Sequence, residues 1–88
     1  MVNISTPNAR VNITWKGQND DLPDEVLFDL SDDEIKKIVQ ESISSGSVPG
    51  INQDESADFS NFVVDRFSAD ANTSINRIVV RSKTPFGF

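Results

Sequence analysis

The hydrophobic and polar positions change rhythm twice along the chain. From Ser31 to Gly46 the apolar residues Ile35, Ile38, Val39 and Ile43, with Ser42 among them, recur at helical spacing. This stripe predicts a helix over 32–45. Ser31 suits the N-cap, because its hydroxyl can accept from the amide three residues on. Glu34 stands where its carboxylate reaches back to the Ser31 amide, completing a capping box. Leu30 and Ile35 are placed for a hydrophobic staple. Asp32, Asp33 and Glu34 oppose the positive end of the helix dipole. Asp32 with Lys36, and Asp33 with Lys37, are spaced for ion pairs along the helix. Gly46 supplies a left-handed residue just past the end.

On both sides of this helix the rhythm is two. Val11, Ile13 and Trp15 alternate with Asn12, Thr14 and Lys16, as in a half-buried strand. Gly17 to Pro23 reads as a polar turn. Val26, Phe28 and Leu30 form a second strand that runs into the helix cap. Phe59 to Phe67 is rich in aromatic and β-branched residues and reads as a third strand. Ser68 to Ser74 is a polar loop, and Ile75 to Ser82 a fourth strand. Pro49-Gly50 marks a turn in the connector after the helix. Pro85 ends any strand. The expected organisation is an N-terminal arm or edge strand over 1–9, one domain over 10–82 and a tail over 83–88.

The order is strand, strand, helix, strand, strand, and one helix must cover one face of a mostly antiparallel sheet. Three local features sharpen this: the capped helix directly after Phe28-Asp29-Leu30-Ser31, the turn at Val48-Pro49-Gly50-Ile51, and the last strand Arg77-Ile78-Val79-Val80-Arg81 leading into a tail with Gly87. In this layout the chain resembles the ubiquitin-like β-grasp family, and bacterial ubiquitin-like modifiers among them. The resemblance implies an α+β fold, a β-grasp-like ββαββ sheet with one helix packed on one face. It also implies that the last strand lies beside the first, at the centre of the sheet. In that family the glycine carboxylate of the tail is joined to a partner. Here the chain ends Pro85-Phe86-Gly87-Phe88 without a paired glycine, so conjugation would require removal of Phe88.

Composition narrows the chemistry. Eighty-eight residues bury a thin core. Cysteine, histidine and tyrosine are absent, which removes disulfides, thiol nucleophiles, imidazole bases and the usual zinc ligands. The serines have no base in a recognised motif, and the four glycines form no phosphate loop. An enzyme is not expected, nor a cofactor, nor a metal. The run Asp20-Asp21-Leu22-Pro23-Asp24-Glu25 lacks the spacing of a calcium loop. No targeting segment and no apolar stretch long enough to span a membrane occur, so a cytoplasmic location is the default.

Two surfaces remain. The net charge is −6, and eight of the fourteen acidic residues fall between Asp20 and Glu34. That balance argues against nucleic acid as a partner. Arg66, Arg77, Arg81 and Lys83 gather in the last strands and tail. Arg77 against Asp65 is the simplest cross-strand pair. Trp15, Phe28, Phe59, Phe62 and Phe67 are expected in the core, although the third strand is apolar on both faces and part of it should show. The leading expectation is a non-catalytic protein-binding module resembling ubiquitin-like proteins. Its candidate surface is the sheet face Phe62, Val64, Arg77, Val79 and Arg81 together with the tail Lys83, Phe86, Gly87 and Phe88. The alternative is an acidic inhibitor or decoy, a phage-type mimic of nucleic acid, acting through Asp20, Asp21, Asp24 and Glu25. A protease inhibitor presenting loop 68–74 ranks below both, since no disulfide stiffens that loop.

Overall fold

In the computed structural model of the chain, residues 8–69 and 75–83 are described. They form strands β1 (Asn8–Trp15), β2 (Gln18–Asp21) and β3 (Val26–Leu27), helix α1 (Asp32–Ser44), and strands β4 (Phe62–Phe67) and β5 (Asn76–Ser82). The predicted arm, apart from Asn8 and Ala9 in β1, lies outside the described residues. So do most of the polar loop and all of the tail beyond Lys83.

Helix α1 forms as its end signals dictate. The Ser31 hydroxyl accepts from the Glu34 amide at 3.2 Å, and Glu34 accepts from the Ser31 amide at 3.0 Å. The two contacts satisfy amides that the first turn leaves without helical partners. Hydrogen bonding to Ser31, backbone first and hydroxyl second, also holds the Glu34 carboxyl below its ordinary pKa. At the other end Gly46 takes φ +76°. Its amide donates to the Ile43 carbonyl and that of Ser47 to the Ser42 carbonyl, a Schellman ending. The expected Asp32–Lys36 pair gives way to longer-range contacts. Asp32 binds Arg66 of β4, and the Lys36 ammonium donates to the Ser60 carbonyl at 3.1 Å. These bonds tie the helix to β4 and to the connector before it rather than to itself.

The strands form one mixed sheet in the order β2-β1-β5-β4, with β3 also paired to β1. β1 and β5 run parallel at the centre, and the other pairings are antiparallel. The described residues are thus α+β, with one helix and a five-stranded mixed sheet, an arrangement compatible with a β-grasp.

Two expectations on the edge beside β1 are corrected. The polar stretch predicted as a turn is mostly β2. The turn itself is only Lys16-Gly17, with φ +50° and +83°, the signs that a tight two-residue hairpin needs. The predicted strand at 26–30 keeps only Val26 and Leu27, because residues 28–29 turn toward the helix. From the Asn12–Asp21 pair to the Ala9–Val26 pair, β1 steps back three positions while the edge advances five. Two extra residues therefore bulge out around Pro23, which cannot donate to a ladder.

Ala9, Val11 and Ile13 of β1 and Ile78 and Val80 of β5 point to the helix side and are buried. They meet Ile35, Val39 and Ile43 of α1. Each fully buried isoleucine or valine contributes about 1.5–3 kcal/mol. The remaining core comes from Leu22, just after β2, and from the irregular connector between α1 and β4, through Val48, Ile51, Ala57 and Phe59. Phe59, expected in a strand, precedes β4 and is buried in this connector. Asn76 is the buried polar residue of β5. Its side chain accepts from the Ala69 amide at 2.7 Å and donates to the Asn8 carbonyl at 3.1 Å.

Candidate functional site

The register decides which side chains share a surface. Opposed residues project to the same side of a sheet, and successive residues to opposite sides. Val64 is paired with Val80 and Phe62 with Ser82, so Phe62 and Val64 lie on the helix side. Both are half-buried against the core, Phe62 with its ring 4.8 Å from Phe59 and 5.8 Å from Trp15. Arg77, Val79 and Arg81 lie on the other side, which no described element covers. The structure therefore separates the five sheet residues singled out above into two groups, one packed under the helix and one open. Lys83 is exposed at the end of the described chain, and Phe86, Gly87 and Phe88 lie outside the described residues.

The open face carries residues that alternation alone does not assign to it. Val63, Asp65 and Phe67 of β4, Arg10 and Asn12 of β1, Asp21 of β2 and Leu27 of β3 join the β5 trio. Phe67, expected in the core, is 53% exposed, because its register opposite Arg77 turns it outward. Leu27 is 52% exposed. Charges cross this face in rows. Arg81 binds Asp65 at 2.7 Å, replacing the expected Arg77–Asp65 pair, since Asp65 stands opposite Val79 and reaches one diagonal step along β5. Arg10 lies directly opposite Arg77 on the parallel neighbour.

The acidic run splits in the same way. Asp20 points to the helix side, where its carboxylate accepts from the Gly50 amide at 2.8 Å and from the Asp21 amide at 2.8 Å. Asp21 points to the open side and accepts from Asn12 at 2.9 Å. Glu25 stands 3.9 Å from Arg10, and Asp24 is exposed. Alternation along β2 sends adjacent carboxylates to opposite faces, so Asp20 and Asp21 do not converge on one surface.

A pocket of about 460 Å³ lies at the hairpin end, lined by Trp15, Lys16, Gln18, Asn52, Gln53 and Asp54. Asp54 is its hub. Its carboxylate accepts from the Ser56 hydroxyl at 2.6 Å and amide at 2.9 Å and from the Trp15 indole at 3.0 Å, and meets the Lys16 ammonium at 3.1 Å. The Ser56 hydroxyl, then Trp15 and Lys16, hold the carboxyl well below the ordinary carboxylate range. Gln18 accepts from the Asn52 amide, and Gln53 donates to the Ser44 carbonyl. The bonds of Asp54 and Gln18 clamp the connector to the β1–β2 hairpin and that of Gln53 holds it to the end of α1, so the pocket's polar groups are engaged in holding the fold. No sequence pattern pairs residues 15–18 with 52–56, because the contact depends on how the connector returns over the sheet. Among the described residues no helix is long and apolar enough to cross a membrane. No protein-family profile, no curated protein and no solved structure matches the chain.

Proposed function

We propose that the chain is a non-catalytic protein-binding module, akin to ubiquitin-like proteins, that engages its partner through the open face of the sheet. One observation carries this reading. An 88-residue chain with few large apolar side chains leaves Phe67 and Leu27 more than half exposed, on the same face as Val63 and Val79. An isolated exposed apolar residue is ordinary, but several on one uncovered sheet face, interleaved with arginines, mark a contact surface. The sheet order, with the first and last strands parallel at its centre, supports the comparison with the β-grasp. The tail, residues 83–88, follows β5 in the sequence and belongs to this reading as a second contact.

The test is site-directed photocrosslinking in the native cells. A photoreactive phenylalanine analogue at position 67 should yield an adduct of defined mass. The same analogue at exposed Lys37 on the helix should not. Equal adducts from both positions, or none from position 67, would overturn the proposal.

A further inference from the structure

We infer that Arg10 and Arg77 on the open face receive the carboxylate side chains of an extended acidic protein segment; this rests on the reading of that face as the docking surface. Like charges directly opposite on neighbouring strands destabilise a sheet. Here two guanidinium groups face each other across the central parallel pair, β1 and β5. The described residues do little to neutralise them. Arg10 has only Glu25, at 3.9 Å, with both side chains well exposed, and among the described residues Arg77 makes no ion pair. Arg81, on the same strand, shows what neutralisation looks like, with Asp65 at 2.7 Å. In a chain of net charge −6, an unrelieved arginine pair is the local exception.

The surroundings select the partner's chemistry. Phe67 flanks Arg77 in the same cross-strand row, and Val79 lies two residues along β5. A segment that fits presents carboxylates to the arginine pair and apolar side chains to Phe67 and Val79. Arginine binds carboxylates through a planar fork, and its weak hydration lowers the cost of docking. A nucleic acid fits less well. Its continuous phosphate charge would run against Asp21 and Asp65 on the same face and against the net negative charge of the chain.

The experiment is a titration of the full ¹⁵N-labelled chain, read by amide chemical shifts. Its probes are two capped pentapeptides with serine at positions two and four and leucine at five, so that the odd positions share one side of an extended chain; positions one and three are glutamate in the first and glutamine in the second. The glutamate peptide should shift amides of β1, β4 and β5. The glutamine peptide should bind at least about fivefold more weakly, the factor that a single well-placed ion pair supplies. Arg77→Glu, whose carboxylate would pair with Arg10, should abolish this preference, with amide dispersion reporting that the variant is folded. Should that variant unfold, Arg77→Gln should abolish the discrimination between the two peptides. Equal binding of the glutamate and glutamine peptides at the open face overturns the carboxylate inference and leaves the docking face standing. Shifts elsewhere, or none with either peptide, overturn both. Tighter binding of single-stranded oligothymidylate than of the glutamate peptide overturns the choice of a protein partner.

Discussion

Phe59→Ala is the sharpest test of how this small core is built. Phe59 lies in a segment without regular structure, yet it is 2% exposed. Its ring centroid is 4.8 Å from both Trp15 and Phe62, tilted to the first and edge-on to the second. Truncation of a buried phenylalanine to alanine costs about 3–5 kcal/mol, including the cavity left behind. Each lost aromatic pair lies within that figure at about 0.5–1.5 kcal/mol. An 88-residue domain has roughly 4–13 kcal/mol in all. The variant should therefore lose about a quarter or more of its stability and melt at least about 12 °C lower. Urea unfolding followed by circular dichroism gives the loss. The emission of Trp15, the single tryptophan, reports on the same contact from its other side. Phe67→Ala is the matched control, because half-exposed Phe67 should cost no more than about 0.5 kcal/mol. A loss below about 1 kcal/mol for Phe59→Ala, or equal losses for the two variants, would refute the account of the connector as part of the core.

Gly50→Ala should lower the urea midpoint by the equivalent of about 1–2 kcal/mol at unchanged slope. Its new methyl would stand 2.9 Å from Asp20 Cβ and Oδ2, displacing the carboxylate from the Gly50 amide. Ser31→Ala should cost about 1 kcal/mol in the same assay, since it removes the hydroxyl that accepts from the Glu34 amide. Stability should be highest at neutral pH and fall with acid. Glu34, Asp54 and Asp58 all have folded-state pKa values below their ordinary 4.5, 3.8 and 3.8, so the unfolded chain takes up protons first as the pH drops. The decline should run from about pH 5 to about pH 2, and Asp54→Asn should flatten it in urea titrations at several pH values. A pH-independent midpoint over that window would contradict the assignment.

The helix was legible almost to the residue because its signals are local. Ser31, Glu34 and Gly46 act within a turn of where they stand, and the stripe Ile35, Val39 and Ile43 needs only a core to face. β2 was not legible, because Gln18 to Asp21 is polar and poor in strand formers. It is held instead by its pairing with β1 and by the side-chain bonds of Asn12, Asn19 and Thr14, which exist only once the strands are in register. The pattern around Phe59 signals both burial and a strand, and only the burial holds, since hydrophobicity reports burial but not backbone shape. The candidate face was half legible. Alternation separates Phe62 and Val64 from Val63 and Asp65, but which set sits above Arg77 and Arg81 depends on the pairing of Val64 with Val80, a relation across sixteen positions. The facing of Arg10 and Arg77 depends on a still longer one.

The parallel neighbours β1 and β5 stand nearly at opposite ends of the described chain. A ribosome-tethered polypeptide that has released everything before Asn76 holds a capped helix and a hairpin but no middle to its sheet, with Ile78 and Val80 still missing from the hydrophobic interior. Cooperative collapse must then wait for β5 to emerge, and the closing step joins sequence-distant partners, which slows it. Until that moment Val11 and Ile13 have no lasting cover.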